Sequence, residues 1–428
     1  MTIYILKMNT TKSAIACALT GLALVNHVEA GDNASLLKKL VEKGVITQAE
    51  ADVLAEESNT EFNDSMPSWV NSLTLKGDLR LRYDHTKDSN SAGDGANDRW
   101  RYRFRFGATA DMNNGVKVGF RLATGGENSD DDIGSTNQTF SNGFARDTIS
   151  LDQAWASMDI GEVTFIGGKM QNFEKTGWKV SKVLFDGDIT PEGLEAHYST
   201  TAGSVDVGFH GGAYLINGEK KHASTNMNAM YMAQVTASSS LNATTNWDLG
   251  LGVYTVDDGG LSQAGASKRK GNSSGVGYTP VFIDGALSFK TGPGVKIYGT
   301  WVNNQEGAAS KDTGFATGVK LGSAKKAGQW EASLGYRSIE RDAIWDDLSD
   351  SDFGAWGANE ANKYHSGTNV EGLRLQGKYM IYDNVQVALT VYDTQSEDGT
   401  DDESNNRCLL YTSPSPRDYA ASRMPSSA

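Results

Sequence analysis

The chain has 428 residues, a formal net charge of −14, 48 glycines, 7 prolines and many aromatics (Trp 9, Tyr 16, Phe 14). The acidic balance excludes a nucleic-acid partner, which needs a basic footprint, and past the N-terminus no run of ~18 apolar residues offers a transmembrane helix. Cys17 falls in a targeting-like segment and Cys408 in an anomalous tail, so the chain between them has no disulfide framework, thiol nucleophile or cysteine metal site.

Residues 1–30 read as a secretory signal: Lys7 and Lys12 are the basic start, Ser13 to Val25 the apolar run, and Val28-Glu29-Ala30 the cleavage site. Residues 31–68 read as a periplasmic helical leader and a polar linker. Leu36, Leu37, Leu40 and Val41 form one apolar stripe, and Thr47-Gln-Ala-Glu50 is a capping box that restarts the helix after Gly44.

From Ser72 the period changes to two. Leu73, Leu75, Leu79, Leu81 and Tyr83 alternate with Thr74, Lys76, Asp78, Arg80 and Arg82. In the next segment Trp100, Tyr102, Phe104 and Phe106 interleave with Arg101, Arg103 and Arg105. A soluble sandwich would have to bury the arginine row or expose the aromatic row. A wall between lipid and a water-filled lumen needs both. The pattern recurs at Val116 to Leu122 with Lys117 and Arg121, at Trp247 to Val253, at Leu373 to Tyr379 and at Val385 to Val391.

Connections alternate between long and short. Tyr83 to Arg99, Gly125 to Thr148, Met170 to Glu192, Asp257 to Tyr278 and Asp342 to Thr368 are long; Met112-Asn-Asn-Gly115 and Thr291-Gly-Pro-Gly294 are tight. The link from Ser238 to Thr245 is the least marked. The count is fifteen strands from Ser72 to Thr394, whereas bacterial barrels carry an even number. From Cys408 the text loses its alternation, holds Pro414, Pro416 and Pro425, and is similar to a translated sequencing adapter. The expectation is therefore an all-β, transmembrane antiparallel barrel of about sixteen strands over residues 69–407, its last strand replaced by a non-native tail at 408–428.

The stretch from Gly77 to Tyr198 resembles the putative porin family of Gram-negative outer membranes. Gly77-Asp-Leu-Arg-Leu-Arg-Tyr83, Phe120-Arg-Leu-Ala-Thr-Gly125, Asn137-Gln-Thr139, Leu151-Asp-Gln-Ala-Trp155, Gly167-Gly-Lys169 and Asp186-Gly-Asp188 carry the likeness, as does the helix at Leu40 to Thr47. The resemblance implies a homotrimeric diffusion channel among outer-membrane lipids and lipopolysaccharide, passing small hydrophilic solutes. It also implies that the third long loop, Met170 to Glu192, folds inward and narrows the pore.

That loop carries Glu174, Asp186, Asp188 and Glu192. The facing wall is expected to be Arg80, Arg82, Arg101, Arg103, Arg105, Lys117 and Arg121, so that opposed charges set a transverse field across the constriction. The alternative for each arginine is a carboxylate partner across the lumen that only shapes the wall. Asp130 to Asp132 and Asp401 to Glu403 read as solvated loop charge, with loose divalent-ion binding as the rival. No cofactor is expected, and no catalytic residue. The six histidines are scattered in sequence, and no G-x-S-x-G elbow or P-loop occurs. Two rivals stand beside the diffusion porin. One is a solute-selective channel, marked by saturable block; the other is a plugged barrel serving as adhesin or enzyme, marked by a folded protein without conductance.

Overall fold

The structure, a computed structural model, describes residues 40–43, 45–50, 67, 69–90, 93–125, 135–140, 143, 146–217, 228–256, 272–273, 275–306, 311–354, 367–398, 404–414 and 419–422. The signal-like segment, Asp130 to Asp132, Asp401 to Glu403, His222 and His365 lie outside them. The chain divides into two units, 1–68 and 69–428, each taken by itself.

In the first unit the capping box is formed. Thr47 N–H donates to Glu50 Oε2 (2.8 Å), and Glu50 N–H donates to the Thr47 hydroxyl (3.2 Å). The two residues thereby satisfy donors that the start of a helix leaves unpaired.

Among the described residues the second unit has eighteen strands in one sheet. They are β1 (Val70–Asn90), β2 (Gly93–Met112), β3 (Val116–Thr124), β4 (Gln138–Thr139), β5 (Ile149–Ile160) and β6 (Val163–Lys169). β7 (Glu192–Ala202), β8 (Val205–Asn217), β9 (Asn228–Asn242), β10 (Thr245–Val256), β11 (Pro280–Phe289) and β12 (Val295–Asn304) follow. The last are β13 (Thr313–Gly322), β14 (Trp330–Ile339), β15 (Val370–Tyr382), β16 (Val385–Ser396), β17 (Ser404–Pro414) and β18 (Tyr419–Ser422). Leaving aside the two-residue β4 and the short β18, sixteen strands pair antiparallel in chain order, and β17 pairs back onto β1. The ring is closed, and among the described residues no long edge strand is left unpaired.

The alternation sorts as expected. Leu79, Leu81, Trp100, Phe104, Phe106, Phe120, Leu249, Leu251, Trp301 and Leu375 point outward and stay exposed, a belt suited to lipid. Where the expected turn Asn113 to Gly115 falls, Asn114 and Gly115 have φ of 64° and 71°. That left-handed pair matches the twist of a two-residue hairpin and favours Asn-Gly. The unmarked link near Ser238 proves to be another tight turn, with Thr244 N–H donating to Asn242 Oδ1 (2.9 Å).

Two expectations need correction. Tyr83 to Arg99 is no long loop: β1 and β2 run on as a hairpin, pairing Asp84 with Arg99 and Thr86 with Asn97. The polar residues read as loop are cross-strand partners, Arg99 reaching Asp84 at 2.8 Å and His85 reaching Asp98 at 2.6 Å. The closing position is likewise filled. β17 runs through Cys408 into the adapter-like tail and pairs with both β16 and β1. Its alternation suffices: Arg407 and Leu409 are buried inward, while Cys408 and Leu410 face the other side half-buried. The strand ends at Pro414, which has no N–H to give a ladder.

Candidate functional site

The inner row of β1 to β3 carries the charges. Register sets Arg80 opposite Arg103 and Arg82 opposite Arg101, juxtapositions that are unfavourable unless carboxylates intervene. They do intervene. Asp78 accepts from Arg103 Nη2 (2.7 Å) and Arg105 Nε (2.6 Å). Asp84, with no exposed side-chain surface, accepts from Arg82 (3.2 Å), Arg99 (2.8 Å) and Arg407 (2.8 Å). Arg121 pairs with Asp152.

The segment between β6 and β7 crosses the interior. It begins with a helical turn, Phe173–Thr176, where Asn172 Oδ1 accepts the Lys175 N–H (3.2 Å) and Gly177 closes at φ 116°. On one side Phe173 meets Tyr214 of β8 (ring centroids 5.1 Å), and Lys179 N–H donates to Gln234 of β9 (2.8 Å). Lys179 also pairs with Asp248 of β10, and the Thr300 hydroxyl of β12 donates to Ser181 (2.8 Å). On the other side Asp188 stands against Arg103 (3.5 Å) and Arg105 (3.4 Å) of β2. One loop thus touches inward rows on opposite parts of the ring.

A second segment, between β14 and β15, folds in with it. Ala343, Ile344, Trp345 and Leu348 are buried in one apolar cluster with Phe173, Trp178, Leu184 and Phe185. Asp186 N–H donates to Leu348 O (2.7 Å), Ser351 N–H to Asp186 Oδ2 (2.8 Å), and Asp350 N–H to Lys182 O (3.0 Å). Asp352 then reaches Arg82 (2.9 Å) and Arg407 (3.2 Å), and Asp350 reaches Arg337 (3.0 Å). The two loops form one shelf with an apolar underside and an acidic edge. The triplet Ala343-Ile344-Trp345 inside a long acidic loop was the available sequence signal for this second segment.

Charge states follow from the surroundings. Burial pushes the Asp186 carboxyl up to about 7; Lys182 opposes this, while Asp350 and Asp188 add to it. Burial would also raise Asp188, but Arg103, Arg105 and Arg80 hold it well below the usual carboxylate range. Burial is overcome in the same way at Asp352, by Arg82 and Arg407.

The expected site residues separate. Arg80, Arg82, Arg101, Arg103, Arg105 and Arg121 share the inner row, and Asp188 meets two of them. Asp186 joins the two loops instead of facing the wall. Lys117 is exposed at the turn end of β3, and Glu174 is exposed on the helical turn. Glu192 pairs with Lys169 (3.1 Å) in register with Leu194 on the outer face, away from the constriction. Partners absent from the expected set are Asp78, Asp84, Arg99, Asp350, Asp352 and Arg407. Two of the scattered histidines come together: the β7–β8 hairpin sets His197 Nδ1 2.8 Å from His210 Nδ1, with Glu195 3.0 Å from His197 Nε2. Among the described residues no group of three His, Cys, Asp or Glu could hold a metal ion.

A model of the putative porin family matches residues 87–274 and 285–404. The chain belongs to the putative porin family. It is a porin of the outer-membrane β-barrel kind, as the lipid-facing belt requires. No curated protein matches it. Among solved structures it is similar to OprB of Pseudomonas putida at high pH, with TM-score 0.51 and 13% identity over 83% of this chain and 96% of that one. That likeness concerns the fold. An engineered porin of Rh. blastica aligns with TM-score 0.44 and 11% identity, over 80% of this chain and 99% of that one.

Proposed function

We propose that this porin forms a water-filled channel for passive diffusion of small hydrophilic solutes and ions, narrowed by the segment between β6 and β7. The observation that carries the reading is the crossing of the lumen: residues 173–188 are anchored on β8 to β12 and end at Asp188 against the arginines of β2. Such a shelf leaves solutes to pass along a charged wall, where apolar molecules are disfavoured. We further propose export with cleavage after residue 30, contact with outer-membrane lipid and lipopolysaccharide, assembly as a homotrimer, and a foreign origin for residues 408–428.

One observation favours a second reading. The apolar cluster fills the lumen side of β8 to β14, which is what a plugged barrel would show. Single-channel recording in a planar bilayer under a salt gradient decides between them. Stepwise ohmic openings in threes are expected for an open trimer. A folded barrel with no conductance would favour the plug.

A further inference from the structure

The wall arginines are not equivalent. Arg82, Arg99, Arg103, Arg105, Arg121 and Arg407 each hold at least one carboxylate within ion-pair distance. Among the described residues Arg80 and Arg101 hold none. They are diagonal neighbours across β1 and β2, on the same inner face. Both turn toward one neutral residue: Arg80 Nη2 donates to Asn137 Oδ1, and Arg101 Nη2 donates to Asn137 O (2.8 Å). Asn137 is itself buried and held through its Nδ2 to Ser135 Oγ (3.1 Å). The Nε atoms of both arginines are buried without a hydrogen-bond partner, while each side chain keeps part of its surface open.

Two guanidiniums gathered on an amide, in a wall where their arginine neighbours are directly paired, leave local positive charge that Asp188 and Asp352 offset only from beyond ion-pair distance. Guanidinium is planar, always charged and shaped to grip oxyanions in pairs of hydrogen bonds. We propose that Arg80 and Arg101, positioned by Asn137, form an oxyanion-binding station in the lumen for carboxylate- or phosphate-bearing solutes. This rests on the channel reading for its use, though not for its existence. Arg103 and Arg105 contribute less to it, because Asp78 and Asp188 already occupy them.

The test combines calorimetric titration of the detergent-solubilised full chain with bilayer conductance, using inorganic phosphate and acetate as probes. Saturable phosphate binding and a matching block of conductance are expected. The double variant Arg80→Gln/Arg101→Gln should weaken binding about ten-fold or more, the loss that corresponds to one charge-assisted contact. Lys290→Gln, the loss of one positive charge at an exposed turn, should leave it intact. Asn137→Ala keeps both charges and should weaken binding less, which supplies a result if the double variant does not fold. Acetate binding alone assigns carboxylates, and phosphate binding alone assigns phosphates. A conducting channel that binds neither probe, or equal loss in Lys290→Gln, overturns the station and leaves the channel reading standing. Binding without conductance keeps the station and removes the channel reading.

Discussion

Removing Asp84 tests whether the ion-pair network holds the wall together. Its carboxylate is fully buried and receives Arg82, Arg99 and Arg407 at 2.8 to 3.2 Å, while Asp352 provides a second acceptor for Arg82 and Arg407 only. At ~3 Å and an effective dielectric constant of about 20, each contact is worth roughly 5 kcal/mol before desolvation is set against it. Desolvation offsets most of that for the intact cluster, so its net stabilisation is small. Losing one partner is different, because buried charge is left uncompensated at a cost of about 3–5 kcal/mol. Asp84→Ala leaves Arg82 and Arg407 to share Asp352, and Arg99 with no carboxylate among the described residues, and should fall in that range. Urea unfolding of the barrel in lipid vesicles, followed by tryptophan fluorescence, measures it. Asp98→Asn is the comparison: its side chain is 58% exposed beside His85, so the change should stay within about 1 kcal/mol. A loss below about 1 kcal/mol for Asp84→Ala would refute the reasoning and mean that water reaches the cluster.

Three further outcomes are expected. Asp186 has its carboxyl raised to about 7, so the fold favours the protonated form: its contribution is full below about pH 4 and is lost as pH rises through 7. Asp186→Asn should remove a slope of up to about 1.4 kcal/mol per pH unit across that window, and identical pH profiles of urea midpoints would contradict this. Phe185, its ring centroid 4.2 Å from Phe173 and 5.7 Å from Tyr254 in tilted pairs, should cost about 3–5 kcal/mol when cut to alanine, with noisier channel currents; unchanged stability and currents would mean the shelf is not packed. Phe120→Arg places a charge on the outer face and should destabilise by about 2–4 kcal/mol in vesicles, whereas an equal cost in detergent micelles and in vesicles would argue that Phe120 does not face lipid.

The barrel was legible because its signal is local. A period of two, with Trp100, Tyr102, Phe104 and Phe106 set against three arginines, can be read within one strand. It gave the order of fifteen strands, the first two read too short, and pointed to a sixteenth position that β17 fills. The interior was less legible, because its contacts join residues far apart in sequence. Arg82 meets Asp352 across 270 positions and Asp84 meets Arg407 across 323, and no spacing rule links them. The Tyr83 to Arg99 hairpin was misread for a related reason: its polar residues are paired across strands, which composition does not reveal. His197 and His210 come opposite each other only when the turn is centred on Gly203 and Ser204, where Ala202 pairs with Val205; a turn placed two residues earlier would set His197 against Asp206.

The shelf shows why a lumen loop needs two kinds of anchor. Trp178, Val180, Val183, Leu184 and Phe185 are buried almost completely, and apolar burial fixes that a loop stays inside the barrel without fixing where its edge lies. The edge is placed by Asp188, Asp350 and Asp352, whose ion pairs have definite partners and directions. Of the ion pairs that run from this edge to the wall strands, those of Asp188 are the longest, at 3.4 and 3.5 Å. Beside it stand Arg80 and Arg101, the two β1–β2 arginines without a carboxylate in ion-pair distance among the described residues. The longest wall contacts of the acidic edge and the stretch of wall without direct ion pairs therefore adjoin.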